Sequence, residues 1–110
     1  MKTFRTLDLA VEFYDLVEGM EVSGNLRDQL HRADSSISLN LSEGNAKGSV
    51  NEKRHFFQTA YGSLRECQTV FRLLKIKDHE ANKKADQLGA ALYRLINSDI
   101  KPFRLQISDV

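Results

Sequence analysis

Residues 29–44 read Gln29-Leu30-His31-Arg32-Ala33-Asp34-Ser35-Ser36-Ile37-Ser38-Leu39-Asn40-Leu41-Ser42-Glu43-Gly44. Leu30, Ala33, Ile37, Leu41 and Gly44 recur at three- and four-residue steps, the spacing that lines up one face of an α-helix. Beside this seam stand Ser35, Ser36, Ser38, Asn40 and Ser42. Side chains of this kind compete with a helix for its own backbone groups, so an ordinary amphipathic helix has little use for so many. Their density predicts close helix–helix contact rather than a catalytic centre. Gly44 reads as the residue that stops the helix.

Outward from this stretch, caps delimit three more helices. The first spans about residues 7–19, with Thr6 as its N-cap and Asp8 in its first turn. Its apolar stripe is wide, from Leu7 through Leu9, Ala10, Val11, Phe13, Tyr14, Leu16 and Val17. That width predicts burial against more than one neighbour. The second helix spans residues 25–44, opened by the pair Asn25 and Asp28. The third spans residues 49–75, and Ser49-Val50-Asn51-Glu52 matches a capping box. Phe57, Ala60, Leu64, Cys67, Phe71 and Leu74 give it a sustained heptad seam. The fourth spans residues 78–97 and answers with Ala81, Ala85, Leu88, Leu92 and Leu95.

The only proline is Pro102, so nothing interrupts these helices, and the 110 residues suffice for one core. Short connections between long helices predict an all-α, antiparallel, up-down-up-down four-helix bundle in a single domain. Residues 98–110 form a tail in which Phe103, Leu105 and Ile107 alternate, read as a short extended segment. No apolar run reaches membrane-spanning length. The N-terminus lacks the apolar core of a signal peptide, and the single Cys67 suits a reducing cytoplasm. Cys67 lies in the heptad seam and reads as a small buried hydrophobe.

Net charge is only +1, which does not advertise a nucleic-acid binder, but the charges are unevenly spread. Residues 1–24 carry two basic and five acidic side chains; residues 49–76 carry five basic and two acidic. On the third helix Arg54, Gln58, Tyr61, Arg65, Gln68, Arg72 and Lys75 make a stripe without an acid. Asp8, Glu12 and Asp15 make an acidic stripe on the first. Three readings of the basic stripe stand open. It is a solvated face, a subunit contact steered by the opposed charges, or a phosphate-tracking surface with Arg54, Tyr61, Arg65, Arg72 and Lys75 as its contacts. Gly62, off the core seam, points to a helix approaching that side.

A second candidate is polar. Arg32, Ser36 and Asn40 are four apart on one helix face, and Glu43 continues it. With Glu66 they read as a hydrogen-bond network that fixes helix register or subunit contact. His31, His55 and His79 lie on different helices or their ends, none with a partner at metal-ligand spacing, and read as incidental. No phosphate loop or nucleophile triad is legible, so no cofactor, no metal and no enzymatic activity are expected.

Two motifs carry a family resemblance. One is Gln29-Leu30-x-Arg32-Ala33-x-Ser35-Ser36-Ile37-x-x-Asn40-x-x-Glu43-Gly44, and the other is Phe57-x-x-Ala60-x-Gly62-Ser63-Leu64-x-Glu66. From about Phe4 to Ile96 the chain resembles the four-helix bundle proteins of 23S ribosomal RNA intervening sequences. Their relatives include the accessory variability determinant of diversity-generating retroelements, which binds a reverse transcriptase and RNA. The resemblance implies a bundle protomer assembled as a homo-oligomer, commonly a pentameric ring, and does not imply an enzyme. Asp34 stands where the family usually carries a small apolar residue, and His31 where a second basic residue is common. The expectation is a self-assembling scaffold or adaptor. The alternative is an RNA-binding accessory protein that acts with a reverse transcriptase or on structured RNA.

Overall fold

The computed structural model describes residues 4–99. They form α1 (Arg5–Glu18), α2 (Asn25–Asn45), α3 (Val50–Leu73) and α4 (Glu80–Arg94), followed by a π-helical turn, Leu95–Asp99. No strand occurs among the described residues. Each helix packs on its sequence neighbours, and α1 also packs on α4, which closes the square. The contacts run in opposite order along α2 and α3: Ser36 meets Ser63 while Gln29 meets Glu66. The result is the antiparallel bundle, a rod of 50 × 21 × 20 Å. No helix among the described residues is long and apolar enough to cross a membrane.

The core follows the seams read from the periodicity, except that Leu74 and Leu95, at the helix ends, are only partly buried and Val70 joins it. Leu30, Ala33, Ile37 and Leu41 of α2 are buried, as are Phe57, Ala60, Leu64, Cys67 and Phe71 of α3 and Ala81, Ala85, Leu88 and Leu92 of α4. α1 contributes Leu9, Ala10, Phe13 and Val17. Phe13 meets Phe71 edge to face, ring centroids 6.1 Å apart, across the middle of the bundle. Burial pushes the Cys67 thiol far up, so it stays protonated and serves as packing.

Helix ends depart from the sequence reading in instructive ways. Thr6 is not a cap; α1 begins at Arg5, and Thr6 is buried inside it. α2 begins without a side-chain cap, because Asn25 is already helical and Gly24 precedes it at φ 79°. That left-handed backbone is what glycine permits at low cost. Ser49 does cap α3, accepting from the Glu52 amide at 3.1 Å and donating to its carboxylate at 3.0 Å. α3 closes in a Schellman turn, with Ile76 N–H on Phe71 O at 2.9 Å and Lys75 N–H on Arg72 O at 3.1 Å. Lys75 occupies the left-handed position at φ 62°, so it lies past the helix and off the register of the basic stripe. α4 starts at Glu80, later than the periodicity implied. His79 caps it, its Nδ1 accepting from the Ala81 amide while Asn82 accepts from the His79 amide.

Gly44 is not a stop either. α2 runs on to Asn45, and at Gly44 α3 comes into close contact with its backbone. A Cβ there would lie 2.8 Å from Phe56 Cβ and 2.8 Å from Phe57 Cε1. At this end the Gly44 carbonyl accepts from the Lys47 amide at 3.1 Å, and the next helix supplies a further donor. Lys53, itself buried, donates from Nζ to Asn45 O at 2.9 Å and Gly44 O at 3.4 Å. The tail expectation falls on residues 98–110. The π-helical turn claims its first two, and the rest lie outside the described residues.

Candidate functional site

The polar face of α2 resolves into separate parts. Asn40 donates from Nδ2 to Ser36 O at 2.9 Å and Ser36 Oγ at 3.0 Å, and Ser63 of α3 donates to Ser36 Oγ at 2.9 Å. This small cluster ties α2 to α3. Glu66 stands at the surface, accepting from Gln29 Nε2 at 3.2 Å. Arg32 and Glu43 are exposed and outside the cluster, and Glu43 pairs with Lys47 at 3.3 Å. Of the five residues read as one network, the fold joins Ser36 and Asn40 directly. The third member of their cluster, Ser63, was legible only as part of the α3 motif.

The stripe on α3 is likewise partly spent within the protomer. Arg54 is half-buried and donates from Nε to Ile96 O at 3.4 Å. Arg65 lies over the Tyr61 ring, 5.9 Å from its centroid, and bonds Gln68 Oε1 at 3.2 Å. Arg72 is exposed. Two shallow clefts run between α3 and α4, lined by Tyr61, Arg65 and Arg72 on one side and Tyr93 and Arg94 on the other. Asp86 of α4 lines both, so an acid does enter this surface, supplied by the neighbouring helix. In the acidic stripe of α1, Glu12 is held by Lys84 of α4 at 2.9 Å, a hydrogen bond that keeps its carboxyl below the usual range. Gly62 is exposed, and a Cβ there would meet nothing within 4 Å. No helix among the described residues makes the close approach expected there.

The α1–α2 side holds two features that no single-helix pattern displayed. The first is a shallow apolar depression lined by Val11, Tyr14, Ser35, Ser38 and Leu39. Leu39 is 68% exposed and Val11 45%, while the Ser38 hydroxyl is buried without a hydrogen-bond partner. The second brings together Glu18, the last residue of α1, with His31 and Asp34 of α2. His31 Nδ1 is 2.6 Å from Glu18 Oε2 and 3.9 Å from Asp34 Oδ2. Asp34 is fully buried, and neither carboxylate oxygen has a hydrogen-bond partner among the described residues. Burial pushes its carboxyl up to about 6; nearby His31 works against that shift and Glu18 adds to it. The same acidic surroundings raise the Tyr14 hydroxyl, Glu18 foremost and Asp34 and Asp15 in support. His31 is thus no incidental surface residue: its side chain is three-quarters covered and faces two carboxylates. A readable sign was present, since Asp34 follows Leu30 by four and precedes Ile37 by three, on the buried stripe itself.

Residues 4–99 match the family model described as 23S rRNA-intervening sequence protein. No curated protein and no solved structure matches the chain. The chain belongs to the 23S rRNA-intervening sequence protein family.

Proposed function

We propose that this family member is a non-enzymatic cytoplasmic scaffold or adaptor that works by assembling with copies of itself. The observation that carries the reading is the apolar depression between α1 and α2. Leu39 extends into solvent from a helix whose Leu30, Ile37 and Leu41 are buried. Ser38 beside it holds a covered hydroxyl with no partner. A second subunit seated there would cover Leu39 and Val11 and offer Ser38 an acceptor or donor. Gly62 adds a bare stretch of α3 on another face, suited to close approach by a neighbouring copy. Patches on different faces fit a heterologous contact, which closes into a ring where the rotation allows. Five is the subunit number that the family resemblance implies.

Light scattering after size exclusion tests this. The parent chain is expected at a whole multiple of its 12.5 kDa mass, and Leu39→Asp with Val11→Asp at one copy. A parent that stays monomeric at micromolar concentration overturns the reading. The second reading, RNA binding as an accessory to a reverse transcriptase or on structured RNA, rests on the α3–α4 clefts. There Tyr61 and Tyr93 offer stacking faces among Arg65, Arg72 and Arg94. Asp86 in the same clefts weighs against it. If it holds, replacing Arg65, Arg72 and Arg94 together by Ala flattens the salt dependence of binding by about 0.7–0.9 per lost phosphate contact.

A further inference from the structure

We propose that Glu18, His31 and Asp34 form a binding site for one divalent cation of the zinc class, at the corner where α1 ends and α2 passes it. The three side chains each offer one ligand atom, and these atoms lie within 4.8 Å of one another. Ligands of a tetrahedral zinc ion at roughly 2.0–2.2 Å stand roughly 3.3–3.6 Å apart. His31 Nδ1 and Asp34 Oδ2, at 3.9 Å, are too far apart for a hydrogen bond and close to a shared-ion spacing. His31 Nδ1 and Glu18 Oε2, at 2.6 Å, need to part by less than an ångström's worth of side-chain rotation per partner. Glu18 sits on an exposed helix end that permits it.

Independently of the cluster, the state of Asp34 points to a ligand. A carboxylate fully removed from water ordinarily accepts several hydrogen bonds or pairs with a cation. Asp34 accepts no hydrogen bond among the described residues, and its neighbour of opposite sign, the His31 ring, stands off at 3.9 Å, although Asp34 sits on a well-packed seam. Its open side faces His31 and Glu18, and beyond them a solvent cleft lined by Arg27, Asp28 and Arg32. An ion can enter from that cleft and keep a water there as its fourth ligand. One imidazole with two carboxylates suits borderline cations better than calcium or magnesium, which take oxygen ligands alone. On binding, the imidazole presents the Nδ1 lone pair to the ion. Any Nδ1 proton shared with Glu18 leaves to solvent, and Nε2 keeps its hydrogen.

The test uses the full chain stripped with a chelator and then dialysed against zinc at micromolar free ion. About one zinc per chain is expected to be retained. His31→Gln and Asp34→Asn are each expected to weaken binding at least about tenfold, while His55→Gln, on the exposed face of α3, changes nothing. Cobalt substituted for zinc should give the visible absorption of a tetrahedral ion in the parent and lose it in His31→Gln. Zinc should raise the melting temperature of the parent but not of His31→Gln, whose part-exposed position leaves the fold intact. No retained zinc in the parent, or retention unchanged in both variants, overturns the site. Neither outcome bears on assembly through the Leu39 face, which light scattering reads separately.

Discussion

Gly44 and Asp34 lie on the same helix about three turns apart, both buried, and their surroundings are opposite in kind. At Gly44 every group has a use. The missing side chain admits Phe56 and Phe57, and the helix-end carbonyls are capped by Lys53 from the helix that packs there. At Asp34 the seam carries a carboxylate that packing does not need and that no hydrogen bond satisfies. The first arrangement is what stability alone selects. The second costs stability, and sites of that kind mark places where something other than folding has set the residue. Each half of the contrast can be attacked by mutation.

The strongest blow to the tight end is Phe57→Ala. The ring is 2% exposed, touches the Gly44 position and stacks near Phe4 with centroids 6.1 Å apart. A loss of about 3–5 kcal/mol is expected, the range for a truncated core aromatic, read by chemical denaturation. A loss below about 1 kcal/mol means that the α2–α3 contact closes up readily and is not the jigsaw fit described above.

Asp34→Ala should do the reverse at neutral and alkaline pH in the presence of chelator. The sign follows from the raised pKa. Below about pH 4 both folded and unfolded chains hold the proton and the residue costs nothing extra. As the pH rises from there to about 6, the unfolded chain releases the proton while the folded chain keeps it, so stability falls. Above about 6 the full penalty is present; a shift from 3.8 to about 6 corresponds to roughly 3 kcal/mol. The variant is therefore expected to gain up to about 3 kcal/mol at pH 8 and nearly nothing at pH 4. A variant destabilised at pH 8 without metal sinks the view of Asp34 as an uncompensated charge.

Gly44→Ala comes next, at about 1–3 kcal/mol of destabilisation. The added Cβ conflicts with two neighbours of different kinds. Phe57 offers ring atoms, which can swing, whereas Phe56 offers its own Cβ, which is fixed to the backbone. Adding Gly44→Ala to Phe57→Ala should thus cost less than adding it to the parent, but still more than nothing. Full additivity would show that Phe57 is not the obstacle.

The two ends of α2 also differ in how far the sequence revealed them. The seams on α2, α3 and α4 were legible because each is a periodicity within one helix, and short linkers then fix the pairing. Gly44 was legible as important but wrong in role. A glycine at a helix end is ambiguous between a stop and a close contact until the partner helix is placed. The Glu18–His31–Asp34 corner needed two helices brought together, since Glu18 comes from α1. The basic stripe failed as a self-contained unit for the same reason: Ile96 claims Arg54 and Asp86 enters the clefts beside Arg65. Intrahelical spacing reports what faces the core. It does not report which charge a neighbouring helix supplies.

The smallest expected effect probes the cap at the tight end. Lys53 is 7% exposed, and burial pulls its ammonium below the usual lysine range. A buried cation of this kind is tolerated because α2 ends with open carbonyls and has no basic residue of its own in the last turn. Lys53→Met keeps the aliphatic stem, removes both hydrogen bonds and leaves the Asn45 carbonyl to water or to nothing, while the Gly44 carbonyl keeps the Lys47 amide. Loss of the bonds costs about 1 kcal/mol net, offset in part because a thioether enters the buried position without a charge to desolvate. A measured loss of about 0.5–1.5 kcal/mol, with the greatest rise in amide exchange at the end of α2, fits the cap. If Lys53→Met instead stabilises the bundle, the tight end too carries an uncompensated charge, and the contrast with Asp34 becomes one of degree.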